Sequence, residues 1–94
     1  MSGETMSDSV MAKAREAIDG IDRELLALFN RRLDLVRRLH EHKVANELPL
    51  RDAGRESSMV ADLQAANTGS LSDDGVAELF HHVLDLIRRE IHGH

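Results

Sequence analysis

The sequence predicts an all-α protein with three helices per chain, of which the first is long, the second short and the third of medium length. Leu, Ala, Val, Ile and charged residues dominate, whereas the 94 residues include two Phe, no Trp or Tyr, and one Pro. Apolar residues recur at steps of three and four, the spacing of a helix with one buried face. A chain this short buries only about 60–65% of its unfolded surface, so we expect oligomerisation.

The first helix is expected to occupy about two fifths of the chain. Ser7 or Ser9 is placed to cap its start, because a serine hydroxyl accepts hydrogen bonds from the free N–H groups of a first turn. We expect the helix to end at about Asn46, since Pro49 follows and disfavours helix in the residue before it.

The second helix is predicted to begin near Leu50 or Arg51 and to end at about Asn67, with Asp52 in its first turn. Polar groups and apolar anchors share one of its faces, which suggests a polar pocket closed by core residues. That face carries Asp52, Arg55, Glu56, Met59 and Leu63. The alternative is an exposed charge arrangement of little energetic meaning.

The third helix is predicted to be capped by Ser70 or Ser72, with Asp73 and Asp74 near its positive end. Its spacing predicts one apolar face, formed by Val76, Leu79, Phe80, Val83, Leu84, Ile87 and Ile91. We therefore expect this helix to pack along its whole length.

Composition and charge exclude several classes of protein. Asp and Glu number 17 against 12 Lys and Arg, which argues against a nucleic-acid-binding protein. There is no cysteine, hence no disulfide or thiol chemistry. The polar N-terminus lacks a signal-peptide core, and no apolar run approaches membrane-spanning length. We predict a soluble cytoplasmic protein with a disordered tail at 1–8 and one helical domain at 9–94.

Arg32 lies in the middle of an apolar stripe of the first helix. Positions 18, 21, 25, 28, 32, 35 and 39 carry Ile, Ile, Leu, Leu, Arg, Leu and Leu. Burying a guanidinium there is costly unless an anion meets it. That anion is either a carboxylate, from Glu24, Asp34 or the third helix, or a bound ligand.

Two further cations on the first helix suggest a site shared between two chains. Arg32 and Lys43 are eleven residues apart and project from nearly the same face, about 16 Å apart along the axis. Arg15 lies about 42 Å from Lys43 on a straight helix. Two copies paired antiparallel about residue 29 would bring Arg15 of one beside Lys43 of the other. Arg15 by itself is more often a solvated residue that pairs with Asp19.

The six histidines do not predict a metal site. His40 and His42 differ by about 200° around a helix, and His81 and His82 are adjacent, so neither pair can chelate from one face. We expect no bound metal.

Two segments, AREAIDGIDRELLALFNRRLDLVRRLHEHK and LPLRDAGRE, resemble the AroQ-type, all-helical chorismate mutases, and the resemblance extends over residues 10 to 92. It implies an intertwined antiparallel homodimer with shared active sites. It also implies the rearrangement of chorismate to prephenate in phenylalanine and tyrosine biosynthesis, with no cofactor, metal or covalent intermediate. The matching positions are Arg15, Arg32, Lys43, Asp52, Arg55 and Glu56.

The resemblance implies a role for each of these residues. Arg32 and Arg15 of the partner subunit would bind the two carboxylates of chorismate, and Lys43 would stabilise negative charge on its ether oxygen. The second helix would supply the other contacts, with Arg55 near the carboxylates and Glu56 and the backbone near Asp52 at the ring hydroxyl. Of these residues, we interpret Lys43, Arg32 and Glu56 as the catalytic ones.

The third helix departs from the family pattern of Ser followed four residues later by Gln, the latter a donor to the ether oxygen. Here the register allows Ile87 with Ile91 or Arg88 with His92, and His92 is the candidate replacement. Some actinobacterial relatives without this Gln, which also end in Gly-His, are weak alone and are activated by docking DAHP synthase. DAHP synthase is therefore a possible partner.

Three other functions remain open. Isochorismate-pyruvate lyases and aminodeoxychorismate mutases share the cations of the first helix. They typically lack the R-D-x-x-R-E segment present here at 51–56, which favours the chorismate mutase. A non-catalytic helical dimerisation or regulatory module is the third alternative.

Overall fold

The structure, a computed structural model, describes the backbone of residues 6–93 and the side chains of residues 8–93. In that range it consists of three α-helices: α1 (Met6–Ala45), α2 (Ala53–Ala66) and α3 (Asp73–His92). The predicted all-α class and the order long, short, medium are confirmed. No helix within these residues combines the length and the apolar character needed to cross a membrane.

Helix α1 is longer at its start than the sequence suggests. It begins at Met6, before both predicted caps, Ser7 and Ser9. The residues at 1–5 of the predicted tail lie outside the described part of the chain. The division into a tail and a helical domain therefore stays a prediction.

The end of α1 confirms the boundary predicted near Asn46. The helix stops at Ala45, and the N–H of Leu48 then donates to the carbonyl of Lys43 at 2.8 Å. Glu47 has a φ of 54°, the left-handed conformation that commonly terminates a helix. Asn46 also helps to end the helix, since its side-chain amide donates to the carbonyl of His42 at 2.8 Å.

The predicted start of α2 is wrong by two or three residues. The helix begins at Ala53, and Asp52 precedes it as the N-cap with φ −129° and ψ 96°. Its carboxylate accepts a hydrogen bond from the backbone N–H of Arg55 at 3.0 Å. A capping residue must have a non-helical backbone, so Asp52 cannot belong to the first turn.

Helix α3 is capped by Ser72, one of the two predicted residues. Its hydroxyl accepts a hydrogen bond from the N–H of Gly75 at 3.0 Å, and Asp73 and Asp74 lie in the first turn as expected. The helix ends at His92, where Gly93 has a φ of 64° and donates its N–H to the carbonyl of Arg89. A glycine accommodates this left-handed conformation without steric cost.

Replacing Ser72 with alanine should lower the free energy of unfolding by about 1 kcal/mol, because the N–H of Gly75 loses its capping acceptor. Chemical denaturation of the purified protein measures this change. Ser70→Ala is the matched control, since Ser70 precedes the cap by two residues and is exposed. Equal destabilisation by the two substitutions would contradict the assignment of the cap.

The chain divides into two compact units, residues 1–34 and 35–94. In the second unit α2 packs on α3, and the buried apolar residues are Val60, Val76 and Ile87. In the first unit Leu33 is buried. The core of the second unit therefore confirms part of the apolar face predicted for α3.

The apolar stripe predicted to be buried on α1 is exposed in the single chain. Its side chains are between 49% and 59% accessible to solvent: Ile18, Ile21, Leu25, Leu28, Leu35 and Leu39. The spacing was identified correctly, but burial needs a surface that covers it. An exposed apolar stripe of this length is typical of a protein that binds another chain.

Candidate active site

Arg15 and Arg32 both lie in the N-terminal unit, on α1. Arg15 is exposed, and within residues 8–93 it takes part in no ion pair. Arg32 is half-buried and its Nη1 atom is buried, although its stripe neighbours Leu28 and Leu35 are more than half exposed. A guanidinium nitrogen shielded from water interacts more strongly with an anion than an exposed one does.

Lys43 lies in the last turn of α1 and is half-buried. A cation at this end of a helix is stabilised by the helix dipole, which is a purely structural reason for its position.

The start of α2 places three predicted site residues in different environments. Asp52 is exposed and occupied with capping, so its interaction with Arg55 is a backbone hydrogen bond and not an ion pair. The side chain of Arg55 is exposed. Glu56 is the most enclosed of the three, with 26% of its side chain accessible.

Two guanidinium groups hold the carboxylate of Glu56. Arg88, on α3, donates from Nη1 to Oε1 at 2.7 Å. Arg51, which precedes α2, approaches Oε2 at 3.4 Å. Arg88 also donates from Nη2 to Asp85 Oδ1 at 2.8 Å, so one guanidinium links two carboxylates.

Arg88 was not among the residues predicted to form the site. The sequence showed only that one of two pairs on α3 occupies the positions of the family's Ser and Gln. The two pairs are Arg88 with His92 and Ile87 with Ile91. The structure buries Ile87, leaving it 4% exposed, and directs Arg88 toward Glu56. Of the polar alternative, Arg88 thus contacts α2 through Glu56.

His92, the candidate replacement for the missing Gln, lies against the C-terminal part of α1. Its ring packs edge-to-face on that of His40, with the centroids 5.3 Å apart. Arg37 Nη2 is 3.5 Å from the carbonyl of Glu90 in the same region. His92 thus contacts α1 at a position three residues before Lys43.

No group of three or more His, Asp or Glu side chains in the described part of the chain could hold a metal ion. The chemistry that these residues offer is binding: guanidinium and ammonium groups bind carboxylates, and a carboxylate accepts hydrogen bonds from hydroxyl groups. The class so defined is an all-helical protein whose helices carry cationic side chains able to bind carboxylates.

Comparison with known families makes the class specific. The family model described as chorismate mutase type II matches residues 14–91. This chain therefore belongs to the type II chorismate mutases, and the resemblance seen in the sequence is confirmed.

Two solved structures, both of a chorismate mutase from Thermus thermophilus, are similar to this chain along most of its length. Form I is 30% identical with a TM-score of 0.79, covering 82% of this chain and 96% of that one. Form II is 32% identical with a TM-score of 0.77, covering 84% and 94%. A comparison with curated proteins finds no match.

Proposed function

We propose that this protein catalyses the rearrangement of chorismate to prephenate, on the route to phenylalanine and tyrosine. The observation that carries the proposal is the family match at 14–91, which includes every predicted site residue from Arg15 to Glu56. Neither the family model nor the similar structures favour a lyase, an aminodeoxychorismate mutase or a non-catalytic module.

The first contribution to catalysis is the binding of both substrate carboxylates. Arg32 binds one and Arg15 of the partner subunit binds the other, by bidentate charge-assisted hydrogen bonds. With its two carboxylates held, the enolpyruvyl side chain stays over the ring in the reactive pose. Positioning the substrate in this way lowers the entropic part of the activation free energy relative to the reaction in solution. The buried Nη1 of Arg32 supports this role.

The second contribution is electrostatic. The ether C–O bond breaks ahead of C–C bond formation, so negative charge grows on the ether oxygen, and Lys43 stabilises that charge mainly in the transition state. Glu56 and the backbone near Asp52 hold the ring hydroxyl, and Arg55 lies near a carboxylate. The rearrangement is intramolecular and needs no general base.

We further propose that two copies pair antiparallel through α1. Six exposed apolar side chains form the stripe on this helix, and burying the exposed half of each contributes about 1 kcal/mol. The stripe contains Arg32, so the surface that covers it also encloses the proposed substrate site. The same pairing brings Arg15 to the site of the other chain.

Chorismate absorbance, followed with and without added DAHP synthase, tests the activity. We expect slow loss of chorismate by the protein alone and about tenfold or more acceleration with DAHP synthase. The reaction of the protein alone should be slow because α3 lacks the Gln donor to the ether oxygen, and this absence costs about 2–4 kcal/mol of transition-state stabilisation.

Three results would change the proposal. Full activity that DAHP synthase leaves unchanged would remove that partner. No loss of chorismate in either assay, together with release of pyruvate from isochorismate, would identify a lyase. Inactivity toward both substrates would favour a non-catalytic helical dimer.

A further inference from the structure

We propose that Arg88 is a positioning residue: it holds the carboxylate of Glu56 in the orientation that accepts the hydrogen bond of the substrate's ring hydroxyl. The inference rests on the proposed function and assigns a role to a residue outside the predicted site. Its basis is the 2.7 Å contact between Arg88 Nη1 and Glu56 Oε1, which joins α3 to the first turn of α2.

The geometry of Arg88 restricts how Glu56 can move. A guanidinium is planar, so its second contact, from Nη2 to Asp85 Oδ1 at 2.8 Å, fixes the plane from which Nη1 donates. The side chains of Arg88 and Glu56 are 33% and 26% exposed. Their attraction is therefore less screened by solvent than that of a fully exposed ion pair.

The contacts leave Glu56 able to bind a substrate. A carboxylate offers about four acceptor positions. Arg88 takes one on Oε1, and Arg51 is 3.4 Å from Oε2, which is long for a hydrogen bond. Glu56 thus keeps acceptor capacity for a hydroxyl group while one of its oxygens is held in place.

A purely structural role for Arg88, tying α3 to α2, makes a different prediction. Because that tie is the Arg88–Glu56 contact itself, losing it would lower Tm and leave kcat/KM of the folded protein unchanged. A positioning role acts through the Glu56 carboxylate, so its effect on turnover disappears once that carboxylate is gone. A double-mutant cycle separates the two roles.

The cycle uses Arg88→Met, Glu56→Gln and the double variant, with kcat, KM and Tm measured for each. We expect Arg88→Met to lower kcat/KM for chorismate about 10- to 100-fold, the scale of a displaced catalytic group. The double variant should lie within about twofold of Glu56→Gln alone. Arg88→Lys, which keeps the charge, should recover part of the loss.

Arg89→Met is the matched control. It removes the same charge from the neighbouring position on α3, where Arg89 Nε is 3.4 Å from the main-chain carbonyl of Asp85. We expect its kcat/KM to stay within about twofold of the unsubstituted protein. If Arg88→Met does not fold, Asp85→Asn replaces it as the test variant, because it removes the charge of the second partner of Arg88. Its loss of kcat/KM should be smaller than that expected for Arg88→Met, and it should also disappear when Glu56→Gln is present.

The outcomes separate the inference from the proposed function. The positioning role would be wrong if the loss of kcat/KM in the double variant equalled the product of the two single losses. It would also be wrong if Arg88→Met lowered Tm and left kcat/KM unchanged. Neither result would contradict the proposed activity. An unsubstituted protein inactive toward chorismate, with and without DAHP synthase, would overturn the proposed function and the inference with it.

Discussion

Replacing Arg32 with alanine is expected to lower kcat/KM for chorismate about 1000-fold, equivalent to about 4 kcal/mol of transition-state stabilisation. The reason is that a bound carboxylate would be left in a partly dehydrated site without its charged partner. The Nη1 atom of Arg32 is buried, so water replaces it poorly. Initial-rate kinetics, with circular dichroism and the oligomeric state measured in parallel, check the result.

Arg31→Ala is the control for this substitution. Arg31 is adjacent, carries the same charge and is exposed, and we expect its removal to change kcat/KM by less than about threefold. If Arg32 only served a scaffold, alanine would leave stability unchanged or increase it. Full turnover in a folded Arg32→Ala variant would therefore end the assignment of a substrate-binding role.

Mixing two inactive variants, Arg15→Ala and Arg32→Ala, is expected to restore about a quarter of the unsubstituted activity. In a mixed dimer one site lacks both arginines and the other lacks neither. Random pairing makes about half of the dimers mixed, each with one intact site. Refolding the two variants together and measuring chorismate turnover tests this directly.

The control is a mixture of Arg32→Ala with Lys43→Ala. Both residues are proposed to serve the site of their own chain, so every mixed dimer keeps one defect in each site and no activity should return. Recovery in this control, or none from the Arg15 and Arg32 pair, would contradict active sites shared between antiparallel chains. A monomer at assay concentrations would contradict them as well.

Local sequence signals predicted most of the secondary structure. Ser72 marks the start of α3 by a hydrogen bond from a residue three positions further on, so no distant contact is needed to recognise it. Asp52 was assigned to the wrong side of a helix boundary. A residue's type suggests that it lies near a helix start, whereas its backbone angles decide whether it is the cap or the first turn.

Part of the candidate site was also within reach of the sequence. Arg32 interrupts an apolar stripe, and Lys43 follows at a spacing that keeps both on one face of α1. The family match confirms the class of protein that these residues indicated. Their individual roles remain predictions, because substrate contacts involve atoms outside the chain.

The sequence by itself determined that three helices form, with their ends placed to within a few residues, and which apolar residues share a helix face, because both depend on spacings of a few residues. Only the tertiary structure decided which faces meet. It paired Arg88 with Glu56, 32 residues away, and set His92 against His40. Such pairs depend on how α3 lies against α2 and against the end of α1. Periodicity along one helix carries no information about that arrangement.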